Sequence, residues 1–433
     1  MDLMKLALAQ KDYVAALRRY FHEYPELSGL EENTLARIKT ELDSLGIPWE
    51  EAPQGGVIGR LEGSRPGKTV LLRADVDALP VQESPENGGT APRTCCSKVP
   101  GVMHACGHDA HAAMLLGAAR LLSGLREQLA GTLYFTFERG EEAGGNAVPL
   151  LEYMQRRGIK PDTCWAIHVY SSMESGTMSV EPGGIMAGNL GFNVTIRGRG
   201  GHGSRPDQAS SPIDCFNGVY TALNAVRMRY VSPFEPLTMS LGTVQSGTRA
   251  NIIPGELTFT GTVRCFDREQ AGLPFKNAFR RVVEHICAAY DCEAVINRLS
   301  GPTLGVVNDP DCAAAAKRAL SAAIGSHRVV RHEPWMASES FGLYQKALAP
   351  GVFAFLGVRS PETGGAAHHN EQFDLDENAL PYGVAATAAY ALEMTESDLD
   401  LSGRTWQGDI LDLVDQIGSY GQWTSLLREQ RSK

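Results

Sequence analysis

Four short apolar runs constrain the fold more than any other feature of the chain. They cover residues 69–72, 132–137, 164–168 and 352–357, and helical patterns separate several of them. Continuous apolar runs of this length are typical of strands buried on both faces. Their alternation with helices predicts an α/β fold, in which a mainly parallel sheet carries helices on both faces. Sheets of this kind place their chemistry at the carboxyl ends of the strands.

The pattern changes between residues 188 and 300. Apolar spacing there predicts the order strand, helix, strand, strand, helix, strand, which is the order of a ferredoxin-like α+β fold. We expect this segment to be a domain inserted into a larger one made of residues 1–187 and 301–433. Residues 398–433 look like an extra amphipathic tail, whose role the sequence does not indicate.

Helical spacing also marks the two ends of the larger domain. Residues 4–46 follow this spacing, and Pro25 and Gly29 interrupt it. Because proline and glycine are the strongest helix breakers, the opening segment is predicted to form two helices. Two further helices are predicted over residues 112–122 and 377–394.

The charge balance limits the partners of the chain. Forty Lys and Arg against fifty Asp and Glu give a formal net charge of -10, and such a surface repels phosphate backbones and anionic lipids. Neither nucleic acid nor a membrane is an expected partner. The sequence shows no secretory signal and no run of about 18 apolar residues, and its nine cysteines lack the spacing of a disulfide framework. We therefore expect a cytoplasmic protein.

Residues able to bind metal or move protons follow the apolar runs. Asp75 and Asp77 follow the first run, and Glu141 and Glu142 follow the second. His168 ends the third run, and His369 lies in the loop after the fourth. The carboxyl ends of parallel strands lie at one edge of a sheet, so we expect these side chains to share one crevice.

One short segment holds three histidines and a cysteine within eight positions: His104, Cys106, His108 and His111. A thiolate with imidazoles and a carboxylate suits zinc or another late first-row metal. Cys106 and His108 could bind one ion or two neighbouring ions, and the alternative is a buried cysteine beside a helix-capping histidine. Together with Glu142, His168 and His369 they predict a centre of one or two divalent ions, with zinc, manganese, cobalt and nickel all suitable.

The adjacent glutamates suit two different roles. A carboxylate bound to metal stays ionised, while its neighbour against an apolar pocket can accept a proton from water. We assign Glu142 to the metal and Glu141 to the general base. Asp75 and Asp77 are expected to orient metal-binding histidines, and a salt bridge to Arg73 is the alternative.

Several motifs occur in the order found in one known family: residues 18–28, 73–80, 104–111, the Glu141-Glu142 pair, His168, residues 200–203, residues 251–254, and His369 four positions before Phe373-Asp374. In these segments the chain resembles the M20 family of metallopeptidases, in particular its amidohydrolase branch of aminoacylases, hippurate hydrolases and auxin-conjugate hydrolases. The resemblance implies a zinc-exopeptidase-like catalytic domain with a paired metal centre, and an inserted domain that serves as a lid or in dimerisation.

The resemblance also implies roles for individual residues. The implied metal ligands are Cys106, His108, Glu142, His168 and His369. Cys106 would bridge the two ions, and Glu141 would be the general base. His202 of the inserted domain would reach the active site of the partner subunit and polarise the scissile carbonyl, with Asn251 near the same end of the substrate. A homodimer would then be needed for catalysis.

The sequence departs from the family pattern at four places. Arg139-Gly140 replaces a usual Pro-Ala, which is expected to put a cation beside the base. Asp207 stands where many relatives carry histidine, and Ser340 stands where they carry a carboxylate. The tail after about Ser397 extends beyond the usual end. These departures leave the metal centre intact and affect the choice of substrate.

The expected reaction is metal-assisted hydrolysis of a C–N bond. The leading substrate is an N-acyl or N-aroyl amino acid, with Arg205 or Arg249 as a partner for its carboxylate, unless these arginines are only surface charges. Two other activities are hydrolysis of an activated aromatic amine with release of ammonia, and cleavage of a dipeptide. A non-catalytic metal-binding relative is disfavoured, because metal binding alone does not need Glu141 beside Glu142.

Overall fold

A computed structural model describes residues 1–145 and 147–432 of the chain. The helices are α1 (Leu3–Leu8), α2 (Lys11–Glu23), α3 (Glu32–Ser44), α4 (His108–Ser123), α5 (Ala147–Arg156), α6 (Pro212–Tyr230), α7 (Leu273–Ala289), α8 (Pro310–Ile324), α9 (Phe341–Ala347), α10 (Leu380–Thr395), α11 (Ile410–Ile417) and α12 (Gly421–Ser432). The strands are β1 (Trp49–Ala52), β2 (Gly56–Glu62), β3 (Arg65–Asp75), β4 (Ala130–Glu138), β5 (Thr163–Glu174), β6 (Met178–Ser179), β7 (Gly183–Met186), β8 (Gly188–Arg197), β9 (Gly201–His202), β10 (Leu237–Ser246), β11 (Ile252–Ile253), β12 (Glu256–Cys265), β13 (Glu293–Leu299), β14 (Val306–Asn308) and β15 (Gly351–Arg359).

The larger sheet has seven strands in the order β1-β2-β4-β3-β5-β15-β6. The four central strands β4, β3, β5 and β15 are parallel, and the flanking strands β1, β2 and β6 pair antiparallel. The central strands contain the four apolar runs, so the predicted parallel core of the sheet is confirmed.

Helices cover both faces of this sheet, as predicted. Neighbouring residues of β3 show the two sides: Val70 and Leu72 belong to one apolar core, and Leu71 belongs to another. The first core includes buried residues of α1 to α4, α8 and α10, and the second includes residues of α5, α9, α11 and α12. This alternation follows from the two-residue period of a strand.

Three helix predictions need correction. The opening segment forms three helices, because the chain also turns at Ala9 and Gln10, where no proline or glycine marks the break. Helix α4 begins at His108, earlier than predicted, because Gly107 with φ 90° precedes its first turn. Helix α10 begins at Leu380, after a short 3₁₀ turn that starts at Glu377.

A second sheet is formed within residues 188–299. Its four strands are antiparallel in the order β10-β12-β8-β13, and its apolar core includes buried residues of α6 and α7. The strands and helices follow the predicted ferredoxin-like order. A short ribbon of β9 and β11 was not predicted as strands.

Two adjacent chain segments connect the sheets. Asn189 N donates a 2.8 Å hydrogen bond to Thr303 Oγ1, and Thr303 N donates to the Asn189 carbonyl at 3.0 Å. A Cβ atom on Gly188 would lie 2.2 Å from the Thr303 carbonyl oxygen. Glycine is therefore needed where the outgoing and returning segments come together.

The C-terminal tail packs on the larger unit. Residues of α11 share the second core with residues of α5, and Arg431 Nε donates to Glu152 Oε1 at 2.8 Å. The sequence assigned no role to this tail, and the structure places its two helices beside the crevice described below. Within the described part of the chain, no helix combines the length and the apolar character needed to cross a membrane.

Candidate metal centre

A cavity of about 860 Å³ opens beside the carboxyl ends of the parallel strands. Four of the five predicted metal ligands line it: Cys106, Glu142, His168 and His369. The fifth, His108, lies just behind this surface and is 1% exposed. The sequence therefore located the crevice, because the strand ends that form it carry the candidate residues.

Two groups of donor atoms share the sulfur of Cys106. In the group with His108 and His168, and in the group with Glu142 and His369, all donor atoms lie within 4.8 Å of one another. Cys106 Sγ is 3.5 Å from His168 Nε2. Ligands of one tetrahedral zinc ion are separated by roughly this distance. The five side chains could hold two neighbouring ions with the sulfur between them.

Hydrogen bonds at the outer ring nitrogens orient the two buried histidines. His168 Nδ1 lies 2.6 Å from the Val169 carbonyl oxygen, which can only accept, so Nδ1 carries the proton and Nε2 keeps a lone pair. His108 Nδ1 lies 3.1 Å from Asp77 Oδ1 and donates to this carboxylate. Metal-binding histidines are commonly fixed in this way.

Asp77 also positions the loop that carries the glutamates. Its Oδ2 accepts hydrogen bonds from Glu142 N at 2.9 Å and from Ser28 Oγ at 2.6 Å. Burial acts to raise the pKa of Asp77, but its contacts with His108, Ser28 and the Glu142 amide together outweigh burial and lower it. Asp77 is therefore an ionised carboxylate that connects a candidate ligand with the loop that carries Glu141 and Glu142.

Asp75 takes part in both of the interactions considered for it. Its Oδ1 lies 2.6 Å from His111 Nδ1, and its Oδ2 accepts from Arg73 Nη1 at 2.8 Å. The other nitrogen of His111 accepts from Val169 N at 2.9 Å. The orienting contact and the salt bridge are thus both present, and the histidine that Asp75 contacts most closely is not one of the five candidate ligands.

Arg73 is the centre of a buried cluster of carboxylates. Its guanidinium lies 2.8 Å from Asp75, 2.8 Å from Glu138 and 3.0 Å from Glu339, with its side chain 1% exposed. Burial raises the pKa of Glu339 to about 7, although Arg73 acts to lower it. One cation therefore offsets three acidic side chains in this cluster.

Ser340 explains how the chain tolerates the loss of a carboxylate at that position. Its hydroxyl accepts from Arg73 Nη2 and donates to Glu138 Oε1, both at 2.8 Å. Its backbone N donates to Glu141 Oε1 at 2.9 Å. A hydroxyl fits among the acidic side chains without adding a negative charge, and the adjoining amide holds the candidate base.

Glu141 lies in the wall of the cavity, next to the shared donor groups. Burial, followed by the negative charges of Glu339 and Glu142, raises the pKa of its carboxyl well above the ordinary value. Glu141 and Glu142 form a further donor group with His108, and Glu142 also belongs to the group of Cys106 and His369; the separate roles of the two glutamates stay predictions.

The residues of this site fit a divalent metal centre. Glu142 Oε1 is buried without a hydrogen bond from the described residues, and His369 Nε2 lies 3.1 Å away without hydrogen-bond geometry. A buried, unpaired carboxylate oxygen is costly unless a cation compensates it. His369 itself has φ 64°, with its N bonded to the Ala105 carbonyl at 2.9 Å, and such strain is typical of functional sites.

Arg139 lies away from the base. Its Nε donates to Glu31 Oε2 at 2.9 Å and its Nη2 donates to the Gly29 carbonyl at 2.5 Å. The expectation that this departure places a cation beside Glu141 is wrong, because the buried guanidinium is used to pair the buried carboxylate of Glu31.

Four predicted residues of the inserted segment are exposed and do not line this cavity: His202, Asn251, Arg205 and Arg249. His202 lies on the ribbon of β9 and β11, and Arg205 pairs with Asp207 at 2.7 Å. The structure of a single chain does not bring them to the metal centre. Their roles at the active site of a partner subunit stay predictions.

Two arginines that the sequence did not reveal do line the cavity. They are Arg264 on β12 and Arg298 on β13, and neither forms an ion pair with a described residue. Arg264 Nη1 donates to Ser338 Oγ at 2.9 Å. No local motif marks these arginines, because they face the site only where the second sheet meets the first.

Aromatic rings form another part of the wall. The ring centroid of Trp335 lies 5.6 Å from that of His168 and 5.1 Å from that of His368, and all three residues line the cavity. The site therefore offers a flat apolar surface, unpaired cations and a cluster of metal-binding donors within one space.

Curated proteins of similar sequence are named as hydrolases. Thermostable carboxypeptidase 1 of Saccharolobus solfataricus is 36% identical over 390 residues, covering 89% of this chain and 96% of the relative. N-acetylcysteine deacetylase of Bacillus subtilis is 35% identical, covering 88% and 96%. IAA-amino acid hydrolase ILR1-like 4 of Arabidopsis thaliana is 33% identical, covering 91% and 89%.

A solved structure and a family model agree with these relatives. The Bacillus subtilis YXEP protein, described as a dinuclear metal binding peptidase from the M20 family, superimposes with a TM-score of 0.74 and is 32% identical, covering 89% of this chain and 99% of that one. The model of peptidase family M20/M25/M40 matches residues 71–393. The resemblance found in the sequence is confirmed, and the chain belongs to the M20 peptidase family.

Proposed function

We propose that this chain hydrolyses the amide bond of N-acyl or N-aroyl amino acids, with Glu141 as the general base. As a member of the family it is a metal-dependent amidohydrolase. The observation that carries the proposal is the position of Glu141, which the Ser340 amide holds beside the donor groups around Cys106.

Different residues of the chain bind the ions and transfer the proton in the proposed reaction. When bound, a divalent pair supplies Lewis-acid polarisation and a water of lowered pKa. We assign the ion-binding role to Cys106, His108, Glu142, His168 and His369. The Glu141 carboxylate takes the proton of the attacking water and delivers it to the nitrogen of the leaving amine.

The lining of the cavity supports an acidic substrate with an apolar acyl group. Arg264 and Arg298 are unpaired cations suited to a carboxylate, and Trp335 offers an apolar surface for the acyl or aroyl group. These two arginines take over the role that the sequence suggested for Arg205 or Arg249. The name of the related N-acetylcysteine deacetylase agrees with a substrate of this class.

The second sheet is proposed to act as an inserted lid and dimerisation domain covering residues 188–300. In a homodimer, His202 would polarise the scissile carbonyl at the site of the other subunit and Asn251 would contact the same end of the substrate. A single well-placed donor to a developing oxyanion contributes about 3 to 4 kcal/mol. The exposed positions of both residues leave them available for this role.

The same lining residues of the cavity also support a second activity, the hydrolysis of an activated aromatic amine. Trp335 and the two arginines would also bind an aromatic acid that carries an amino group. The two reactions differ in product, because amide cleavage releases a carboxylic acid and an amino acid, whereas deamination releases ammonia.

The test compares wild-type protein with Glu141→Gln after reconstitution with zinc, manganese, cobalt or nickel. Substrates are N-acyl amino acids, dipeptides and aminobenzoates, and the released amine or ammonia is measured. We expect Glu141→Gln to retain metal and fold but to lose at least about 100-fold in kcat, while Glu142→Gln loses metal. The exposed Glu174→Gln serves as the matched control. Full turnover by Glu141→Gln contradicts the assignment, and turnover of aminobenzoates alone favours the second activity.

A further inference from the structure

The C-terminal segment Ile410–Ser432 lies beyond the part of the chain matched by the family model, which ends at residue 393. Four of its residues nevertheless line the active-site cavity: Gly418, Ser419, Tyr420 and Gln422. Since the catalytic residues described above all precede residue 370, this segment is an addition to the site from a distant part of the chain.

The segment is packed firmly next to the catalytic loop. Leu411, Val414 and Ile417 of α11 are buried in the same core as residues of α5. Helix α5 begins at Ala147, just beyond the loop that carries Glu141 and Glu142. The tail therefore packs against the helix that directly follows the catalytic loop.

Tyr420 makes the closest approach to that loop. Its φ of 67° is in the left-handed region, which a bulky residue adopts only where its surroundings require it. A Cβ atom on Gly145 would lie 2.6 Å from Tyr420 Cδ1, and Gly145 itself has φ 96°. The aromatic ring therefore lies directly against the backbone of the loop, at a position where only glycine fits.

The hydroxyl group of Tyr420 is the second feature of this residue. Its hydroxyl forms no hydrogen bond with any residue in the ranges 1–145 and 147–432. Burial, followed by the charges of Glu141, Glu138 and Glu339, raises the pKa of this hydroxyl, so Tyr420 is uncharged at neutral pH.

The same segment contacts the chain where it returns from the second sheet. Ser419 Oγ donates to the Gly301 carbonyl at 3.1 Å, and Gly301 N donates to the Gly418 carbonyl at 3.3 Å. A Cβ atom on Gly301 would lie 1.9 Å from the Ile417 carbonyl oxygen. The C-terminal segment thus contacts both the loop that carries Glu141 and the connection at Gly301. This connection follows the second sheet, whose strands β12 and β13 carry the two arginines of the cavity.

We propose that the C-terminal segment is part of the active site, and that Tyr420 is a positioning residue which holds the Glu141–Gly145 loop and limits the size of the acyl group beside it. The inference rests on the proposed amide hydrolysis and adds a determinant of substrate choice. Loss of the ring removes a wall of the cavity and the support of the loop at the same time.

The test uses full-length, metal-loaded protein with Tyr420→Gly, in which glycine accepts the positive φ without strain. Tyr420→Phe keeps the ring, and Asp291→Gly is the matched control because Asp291 has φ 51° and is exposed in the second unit. The kcat and KM of N-acetyl, N-benzoyl and N-naphthoyl alanine are measured. Hydrogen exchange of residues 139–145 reports on the loop independently of turnover.

We expect Tyr420→Gly to shift the ratio of kcat/KM between the naphthoyl and acetyl substrates by about tenfold or more towards the larger one. It should also lower kcat for the acetyl substrate and speed hydrogen exchange in the loop. Tyr420→Phe should restore the wild-type ratio and exchange rate, and Asp291→Gly should match wild type in both. Tyr420→Asn provides a second test, because Asn also adopts positive φ.

The outcomes separate this inference from the proposed function. Unchanged substrate ratios and unchanged exchange in Tyr420→Gly and Tyr420→Asn overturn the role of Tyr420. Wild-type protein that hydrolyses none of the three substrates overturns the proposed function instead, and the exchange comparison then still tests whether Tyr420 holds the loop. Failure of Tyr420→Phe to restore the substrate ratio would contradict the assigned role of the ring.

Discussion

Replacement of Arg73 by methionine removes the one guanidinium that contacts Asp75, Glu138 and Glu339 within 3.0 Å. Methionine keeps the apolar length of the side chain and removes its charge. Loss of one partner of a buried ion pair costs about 3 to 5 kcal/mol, because it leaves uncompensated charge in the interior. With three carboxylates affected, we expect a loss in this range for the free energy of unfolding.

The same substitution changes the dependence of stability on pH. The pKa of Glu339 is about 7 in the folded chain, against an ordinary value of 4.5. A carboxyl with a raised folded pKa adds stability below its unfolded pKa, and this contribution is lost as pH rises through the folded pKa. Arg73 acts to lower the pKa of Glu339, so without it the loss extends to higher pH. The destabilisation should be larger at pH 8 than at pH 6.

Urea unfolding of metal-free protein, followed by tryptophan fluorescence at both pH values, measures these effects. The control is Arg60→Met on strand β2 of the same sheet, where the arginine is exposed and pairs with Glu62 at 3.2 Å. A surface change of this kind alters stability by about 0.5 kcal/mol or less. A loss below about 1 kcal/mol in Arg73→Met at both pH values would refute the role of the carboxylate cluster.

Two other predictions concern the departure at Arg139 and the metal. Arg139→Gln leaves the buried carboxylate of Glu31 without its ion pair, so thermal unfolding should show that the free energy of unfolding falls by about 3 kcal/mol. The kcat should change by less than tenfold, which corresponds to about 1.36 kcal/mol. A large fall in kcat at unchanged stability would contradict this prediction. Removal of metal by a chelator should lower the melting temperature, and zinc or manganese at 100 times its Kd should restore about 2.7 kcal/mol. Scanning calorimetry checks this, and equal melting of Glu142→Gln and wild type in the presence of metal would argue against the assigned ligands.

The sequence predicted those parts of the fold whose signals are local. The four parallel strands are buried on both faces, so each appears as an unbroken apolar run. Strands β1 and β2 at the edge lack such a run, with exposed residues at Glu51, Arg60 and Glu62. The turn between α1 and α2 was missed because Ala9 and Gln10 carry no turn-forming chemistry.

The residues of the candidate site were likewise predictable only where a local sequence signal marks them. Glu141, His168 and the other residues at strand ends could be found because the sheet brings strand ends together by rule. Arg264 and Tyr420 could not, because each reaches the cavity through packing of a distant segment against the larger sheet. Arg139 was placed incorrectly, since its partner Glu31 lies more than a hundred positions earlier in the chain.

The hydrogen-bonded pair of Asn189 and Thr303 also limits how the two sheets can move relative to each other. Because the outgoing and returning segments are hydrogen bonded side by side, they hold the two sheets more closely together than a single connection would. Arg264 and Arg298 belong to strands of the second sheet, and Glu141 follows β4 of the larger sheet. The distance between the cations and the base therefore depends on how the two sheets are oriented relative to each other, so a substrate whose carboxylate and scissile bond match that distance would favour one orientation.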